Sequence, residues 1–135
     1  MSEASVVSVE RLPSTIIIRV LPAELRKVEV DAICGAIDTE LLAAPALPFI
    51  LELSRVAFMG SAAMGVLIGL NQEFRNRAQR LIFASLQPNV LQSITITRMN
   101  KLMEFAPELE AAKKNAASGS APQQPGPAGG EDRKS

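Results

Sequence analysis

Two buried-strand runs separated by one amphipathic stretch constrain this chain more than any other feature. Phe49–Phe58 (FILELSRVAF) and Arg80–Ser85 (RLIFAS) are apolar enough to be covered on both faces, as central strands of a sheet are. Between them, Ala62–Arg77 sets Ala63, Leu67, Leu70 and Phe74 at helical spacing and gathers Asn71, Glu73, Arg75 and Arg77 on a polar side. Strand, helix and strand in that order predict a right-handed crossover between parallel strands.

The flanking segments extend the same pattern. Val6–Glu10 and Thr15–Val20 are β-branched runs joined by Leu12-Pro13-Ser14, which predicts two strands with a tight connection. Pro22 closes the second run. Val30, Ile33, Ile37 and Leu41 then form one helical stripe within Ala23–Ala44, with Asp31, Asp38 and Glu40 off it, and Pro45 and Pro48 end that helix. Met59-Gly60-Ser61 is a break. Pro88 suits the first turn of a helix over Pro88–Leu102, although Ile94-Thr95-Ile96-Thr97 alternates and is β-branched as a strand would be. Met103–Ala106 reads as a short strand and Glu108–Lys114 as a short helix. The expected fold is α/β: one domain over residues 1–114, with a central mixed β-sheet and helices packed mainly on one side. From Asn115 onward the sequence NAASGSAPQQPGPAGGEDRKS holds no Val, Ile, Leu, Met or Phe. It cannot bury enough apolar surface to offset its ordering entropy, so residues 115–135 read as a disordered Ala/Gly/Pro/Ser-rich tail.

Composition narrows the chemistry. There is no His, hence no imidazole base and no imidazole metal ligand, and a lone Cys34 forms neither an internal disulfide nor a Cys-rich zinc site. The expectation is no enzyme, no catalytic residue, no metal and no cofactor. Lys and Arg number 14, as do Asp and Glu, so the formal net charge is zero. That balance argues against nucleic-acid binding by phosphate neutralisation and gives no support to a polybasic membrane contact. The longest apolar stretch, around Ala62–Leu70, contains Gly65 and Gly69 and is too short to span a bilayer. Glu3 stands where a signal peptide would be basic, so the expected location is the cytoplasm, with no direct membrane insertion.

Several residues carry bland readings. Glu52 is expected at an exposed edge or end of its strand. Arg75, Arg77 and Arg80 are expected to be solvated. Gly65 and Gly69, four apart on one helix, suit close packing on the sheet or on a partner. The methionines suit core filling, and Met59 and Met64, if exposed, would suit an adaptable protein-binding patch. Cys34 reads as a buried small hydrophobe.

The most informative stretch is Ile50–Leu70, ILELSRVAFMGSAAMGVLIGL. Ser61 lies there between a buried strand and a helix start, where a hydroxyl serves as an N-cap. The N–H groups and macrodipole of the same helix end would stabilise a phosphate on that oxygen. The stretch resembles the STAS family, the fold of bacterial anti-sigma-factor antagonists and of the cytoplasmic part of sulfate transporters. Phe58 and Met59 match the family's apolar pair, Ser61 its phosphorylatable Ser/Thr, and Met64-Gly65 its Leu-Gly. Gly60 stands where Asp is usual, and Ala62 and Ala63 stand where Ser and Gly are common. Leu86-Gln87-Pro88-Asn89-Val90 resembles the family's strand-to-helix joint, and Leu21–Leu25 resembles its L-x-G-E-L segment with Ala23 replacing Gly.

The resemblance implies a regulator of signalling and transcription that binds a serine/threonine kinase or anti-sigma factor. The implied contact residues are Met59, Gly60, Ser61, Ala62, Met64 and Gly65, with Ser61 as phosphoacceptor. The rival expectation is a constitutive adaptor or scaffold subunit of a stress-signalling complex or a lipid or solute transporter, not phosphorylated. Oligomeric state stays open.

Overall fold

The computed structural model describes residues 6–118. In chain order the elements are β1 (Val7–Arg11), β2 (Ile16–Val20), β3 (Glu24–Leu25), α1 (Lys27–Ala43), β4 (Phe49–Glu52), β5 (Phe58–Met59), α2 (Ser61–Asn76), β6 (Leu81–Ala84), α3 (Pro88–Ile96), a 3₁₀ turn (Met99–Leu102), β7 (Glu104–Ala106) and α4 (Leu109–Ser118). The main sheet has the order β1-β2-β4-β6-β7, and β3 and β5 form a two-stranded ribbon of their own. β1 and β2 are antiparallel, with Val7 opposite Val20. The remaining pairs are parallel, Ile17 lying beside Ile50 and Ile50 beside Ile82.

Strand alternation divides the apolar residues between two cores. Ile16, Ile18, Phe49, Leu51, Leu81 and Phe83 face α1, α2 and α3, which contribute Val30, Ile33, Ile37, Leu67, Phe74, Val90 and Ile94. Phe49 and Phe74 meet edge to face at 5.6 Å between ring centres. Ile17, Ile50, Ile82 and Ala84 point to the opposite face, which α4 covers with Ala112 and Ala116. Three helices on one face and one short helix on the other give the α/β fold expected, with the crossover from β4 through α2 to β6 in place.

Four segments depart from the sequence expectation. The run Phe49–Phe58 is not one strand, because a turn at Ser54-Arg55, closed by the Val56 N–H donating to the Leu53 carbonyl, redirects the chain. Phe58-Met59 then pairs with Glu24-Leu25 instead of continuing in the main sheet. The first helix begins at Lys27 because Glu24-Leu25 is extended. Arg26 caps the helix, and Glu29 accepts both the Arg26 backbone N–H at 2.9 Å and its guanidinium at 2.7 Å. α3 ends at Ile96, and Arg98, at φ 65°, reverses the chain into the 3₁₀ turn. Its β-branched run stays helical, with the Thr95 and Ser93 hydroxyls donating back to the Leu91 and Asn89 carbonyls.

α4 runs past the composition break at Asn115 as far as Ser118. Ala116 is buried in the second core, and the Asn115 carbonyl accepts Arg80 Nη1 at 2.9 Å. The rest of the expected tail, residues 119–135, lies outside the described residues.

Polar residues expected at the surface are partly drawn in. Arg80 pairs with Glu104 through two hydrogen bonds, Nη2 to Oε2 at 2.6 Å and Nε to Oε1 at 3.3 Å, tying β6 to β7. Glu52 is buried at the end of the central strand β4, and Asn71 is buried with its amide donating to the Leu102 carbonyl at 2.9 Å. Arg75 and Arg77 are exposed as expected.

Candidate functional site

The corner around Ser61 is built by short extended segments meeting a helix end. The Ala23 carbonyl accepts the N–H groups of both Ala57 and Phe58, at 2.7 and 3.1 Å, and the Gly60 N–H donates to the Leu25 carbonyl at 3.0 Å. From the other side, two side-chain amides of the strand-to-helix joint brace the loop before β5. Asn89 Nδ2 donates to the Ala57 carbonyl at 2.6 Å, and Gln87 Nε2 donates to the Ser54 carbonyl at 3.0 Å. Backbone and side-chain bonds together tie the corner to segments distant in the chain. The bracing role of Gln87 and Asn89 was not legible in their residue types, since both acceptors lie about thirty positions away in the chain.

The N-cap of α2 is Gly60, not Ser61. Gly60 is extended at φ −68° and ψ 160°, and its carbonyl accepts the Met64 N–H at 2.9 Å as the first helical bond. Ser61 is therefore the first helical residue. Its side chain is exposed and makes no capping bond, so the expected cap role does not hold. The N–H groups of Ser61, Ala62 and Ala63 precede the first helical bond and have no acceptor within the helix. The first turn carries no acidic residue. An oxyanion on the Ser61 oxygen would thus sit at the positive end of a 16-residue helix dipole with free donors beside it.

The six residues expected to contact a partner divide by burial. Ser61, Ala62 and Gly65 are exposed and Gly60 is half-buried, so these four share one accessible surface. Met59 and Met64 are buried in the first core and do not form a surface patch. Phe58 takes their place: it is 55% exposed beside this corner, with Ala57 exposed next to it. A large aromatic thus adds apolar area to the accessible surface beside Ser61. Phe58 and Met59, as strand neighbours, point to opposite faces, and here only Met59 is in the core.

Gly65 and Gly69 both face outward, and a Cβ on either would meet nothing within 4 Å. They do not serve packing against the sheet. Between α1 and α2 lies a groove of about 390 Å³ lined by Cys34, Asp38, Val66, Gly69, Leu70 and Glu73. Burial, with Asp38, Asp31 and Glu73 nearby, pushes the Cys34 thiol above the ordinary thiol range. A protonated, half-buried thiol is a poor nucleophile. Among the described residues no group of three or more His, Cys, Asp or Glu side chains is arranged to hold a metal ion, and no helix is long and apolar enough to cross a membrane.

The STAS domain profile matches residues 7–112. The chain belongs to the STAS family. Solved structures share its fold. Phosphorylated SpoIIAA of Bacillus is 24% identical with a TM-score of 0.61, over 81% of this chain and 98% of that one. An anti-sigma factor antagonist from Mycobacterium paratuberculosis is 20% identical with a TM-score of 0.70, over 87% of this chain and 97% of its own. The murine anion transporter Slc26a9 is 12% identical with a TM-score of 0.67, over 81% of this chain and 18% of the transporter. Comparison with the curated proteins finds no match. As a STAS domain, the chain resembles the anti-sigma-factor antagonists in fold.

Proposed function

We propose that this STAS domain is a non-enzymatic, cytoplasmic protein-binding regulator of the anti-sigma-factor-antagonist kind. It docks a serine/threonine kinase or anti-sigma factor through Phe58, Gly60, Ser61, Ala62 and Gly65. The observation that carries this reading is the exposed Ser61 hydroxyl, without a hydrogen-bond partner among the described residues, at the first position of α2 and close in the chain to the exposed Phe58. Phosphorylation there adds about −1.5 to −2 charges to the middle of an otherwise neutral, largely apolar contact. A partner that covers the corner must then desolvate that charge, so affinity falls. SpoIIAA, which shares the fold, has been solved in a phosphorylated form, which is consistent with a phosphorylation switch on this fold.

A second reading has its own support. Gly60 replaces the acid usual before the phosphosite, and the fold match extends to an anion transporter. On that reading the domain is a constitutive adaptor and Ser61 stays unmodified.

One experiment separates the two. The full chain, with Ser61 intact or changed to Ala, Asp or Glu, is used to capture partners from its source cells, and the Ser61 peptide is analysed by mass spectrometry. The switch predicts a kinase or anti-sigma partner retained by Ser61→Ala, weakened by Ser61→Asp and Ser61→Glu, and a phosphorylated Ser61. Equal retention by all four chains with unmodified Ser61 removes the switch and leaves the adaptor.

A further inference from the structure

Zero net charge conceals an uneven distribution. Between Glu73 and Glu104 the sequence has no Asp or Glu, while Arg75, Arg77, Arg80, Arg98 and Lys101 all fall there. The fold consumes one of them: Arg80 is held by Glu104 and Asn115. Three others lie on the last turn of α2 and on the segment that follows α3. Arg75 Nη1 donates to the Leu102 carbonyl at 3.4 Å, which fixes it beside the turn that carries Lys101. Arg98 reverses the chain directly after α3, and both Arg98 and Lys101 are exposed without an ion-pair partner among the described residues. Of the two bounding acids, Glu104 is paired with Arg80, and Glu73 lines the groove between α1 and α2 with Cys34 and Asp38.

The same turn exposes apolar side chains. Ile96, the last residue of α3, is 74% exposed, and Leu102 is 38% exposed. Cations interleaved with projecting aliphatic residues match a lipid interface, where headgroup phosphates meet the cations and the upper acyl region receives the aliphatics. A purely acidic segment such as polyglutamate would satisfy the cations alone and leave Ile96 in water.

We infer that the turn Ile96–Leu102, with Arg75, is a peripheral contact for an anionic lipid surface. Each cation contributes about fivefold to partitioning, so the three together contribute about a hundredfold. The contact is reversible and sensitive to salt. Arg75 lies fourteen residues beyond Ser61 on α2, which at about 1.5 Å per residue separates the two by about 20 Å. A domain resting on lipid through this turn therefore keeps its Ser61 corner free for a protein.

The test is sedimentation of the full chain with millimolar lipid as phosphatidylglycerol–phosphatidylcholine vesicles, against pure phosphatidylcholine vesicles, at low and high salt. The expected result is binding to the anionic vesicles only, lost at high salt. Arg98→Gln with Lys101→Gln lowers partitioning about 25-fold, from about fivefold per cation, and Ile96→Ser lowers it further. All three positions are exposed, and an unchanged unfolding midpoint verifies that the variants fold. No binding, equal binding to both vesicle types, or indifference to the charge substitutions overturns the inference. So does capture of the chain by polyglutamate in place of vesicles, which would mark a surface for acidic protein.

Discussion

Replacing Gly65 and Gly69 by Ala should make this protein more stable and, where the proposed contact surface is used, less able to bind. Both glycines lie inside α2, which spans Ser61–Asn76, and both face solvent. Glycine in a helix interior costs about 0.8–1.0 kcal/mol relative to alanine, through the backbone entropy lost on folding. That gain is usually offset when a new methyl group collides with something. Here a Cβ at either position meets nothing within 4 Å, so no steric term opposes it. The two sites are one helical turn apart, but two methyl groups on an exposed face interact weakly, and the gains should add. The double variant should therefore gain about 2 kcal/mol. In urea this moves the midpoint upward at constant m-value, because the surface exposed on unfolding hardly changes. In a thermal scan it raises the midpoint by about 6–12 °C, from about 3–6 °C per kcal/mol for a domain of this size. No gain, or a loss, would refute the reasoning and mean that this face of α2 is not open. Binding supplies the second readout. Gly65 belongs to the proposed contact surface, and glycine permits close approach of another backbone. A partner that relies on that approach loses affinity for the same variant that folds better.

Two further outcomes follow from local geometry. Ala78 sits at φ 56° just past α2, where its own N–H donates to the Arg75 carbonyl and the Gln79 N–H donates to the Phe74 carbonyl at 2.8 Å. This is the position glycine prefers after a helix, so Ala78→Gly should stabilise by about 1 kcal/mol in urea unfolding. The Cys34 thiol, held above its ordinary range by burial and then by Asp38, Asp31 and Glu73, should react with a disulfide reagent more slowly than free cysteine near neutral pH, its rate still climbing in alkali after that of free cysteine has levelled. Because the folded value is raised, the associated stability is present below the unfolded thiol value and lost as pH rises through the folded one. A reaction rate equal to that of free cysteine would show the thiol to be open to water.

The sequence exposed the fold wherever one physical signal dominated. The stripe Val30-Ile33-Ile37-Leu41 and the runs around Phe49–Leu51 and Leu81–Phe83 are core in the structure because no other arrangement buries them. Reading failed where burial alone was the guide. Leu53, Val56 and Met59 are as buried as a central strand, yet they belong to a turn and a two-stranded ribbon, so hydrophobicity could not reveal the break at Ser54-Arg55. Asn115–Ser118 lack large apolar residues and still form helix, because Ala116 fits a shallow second core that small side chains suffice to fill. The candidate site was legible as a position, the junction at Ser61, but not as a surface. Which side chains turn outward depended on the phase of β5 and on the cap of α2, each a matter of one residue. Arg80 and Glu104 lie 24 positions apart, and their pairing needed β6 and β7 to become neighbours.

The cap itself offers the sharpest remaining distinction. Gly60 is not required by the backbone, since φ −68° with ψ 160° suits any residue, and a Cβ there would meet only the Leu25 carbonyl oxygen at an ordinary 3.7 Å. The acid usual in the STAS family at this place would fit without strain. As an N-cap its carboxylate would accept an N–H of the first turn, a bond that glycine cannot supply and that is worth a few tenths of a kcal/mol over glycine. Gly60→Asp should therefore raise the urea midpoint slightly, and a loss of stability would contradict the open geometry described. The two readings attach its effect to different measurements. If Ser61 is phosphorylated, the free N–H groups of Ala62 and Ala63 are available to the phosphate, and a carboxylate that occupies one of them and adds like charge should destabilise the phosphorylated form more than the unmodified one. The measurement is the difference in unfolding midpoint between phosphorylated and unmodified protein, with the native chain and the Gly60→Asp variant compared side by side. If Ser61 is only an exposed hydroxyl in a constitutive contact, Gly60→Asp places a charge in the apolar surface beside Phe58 and lowers partner affinity with no phosphate present. Glycine at this position is then what keeps the contact neutral.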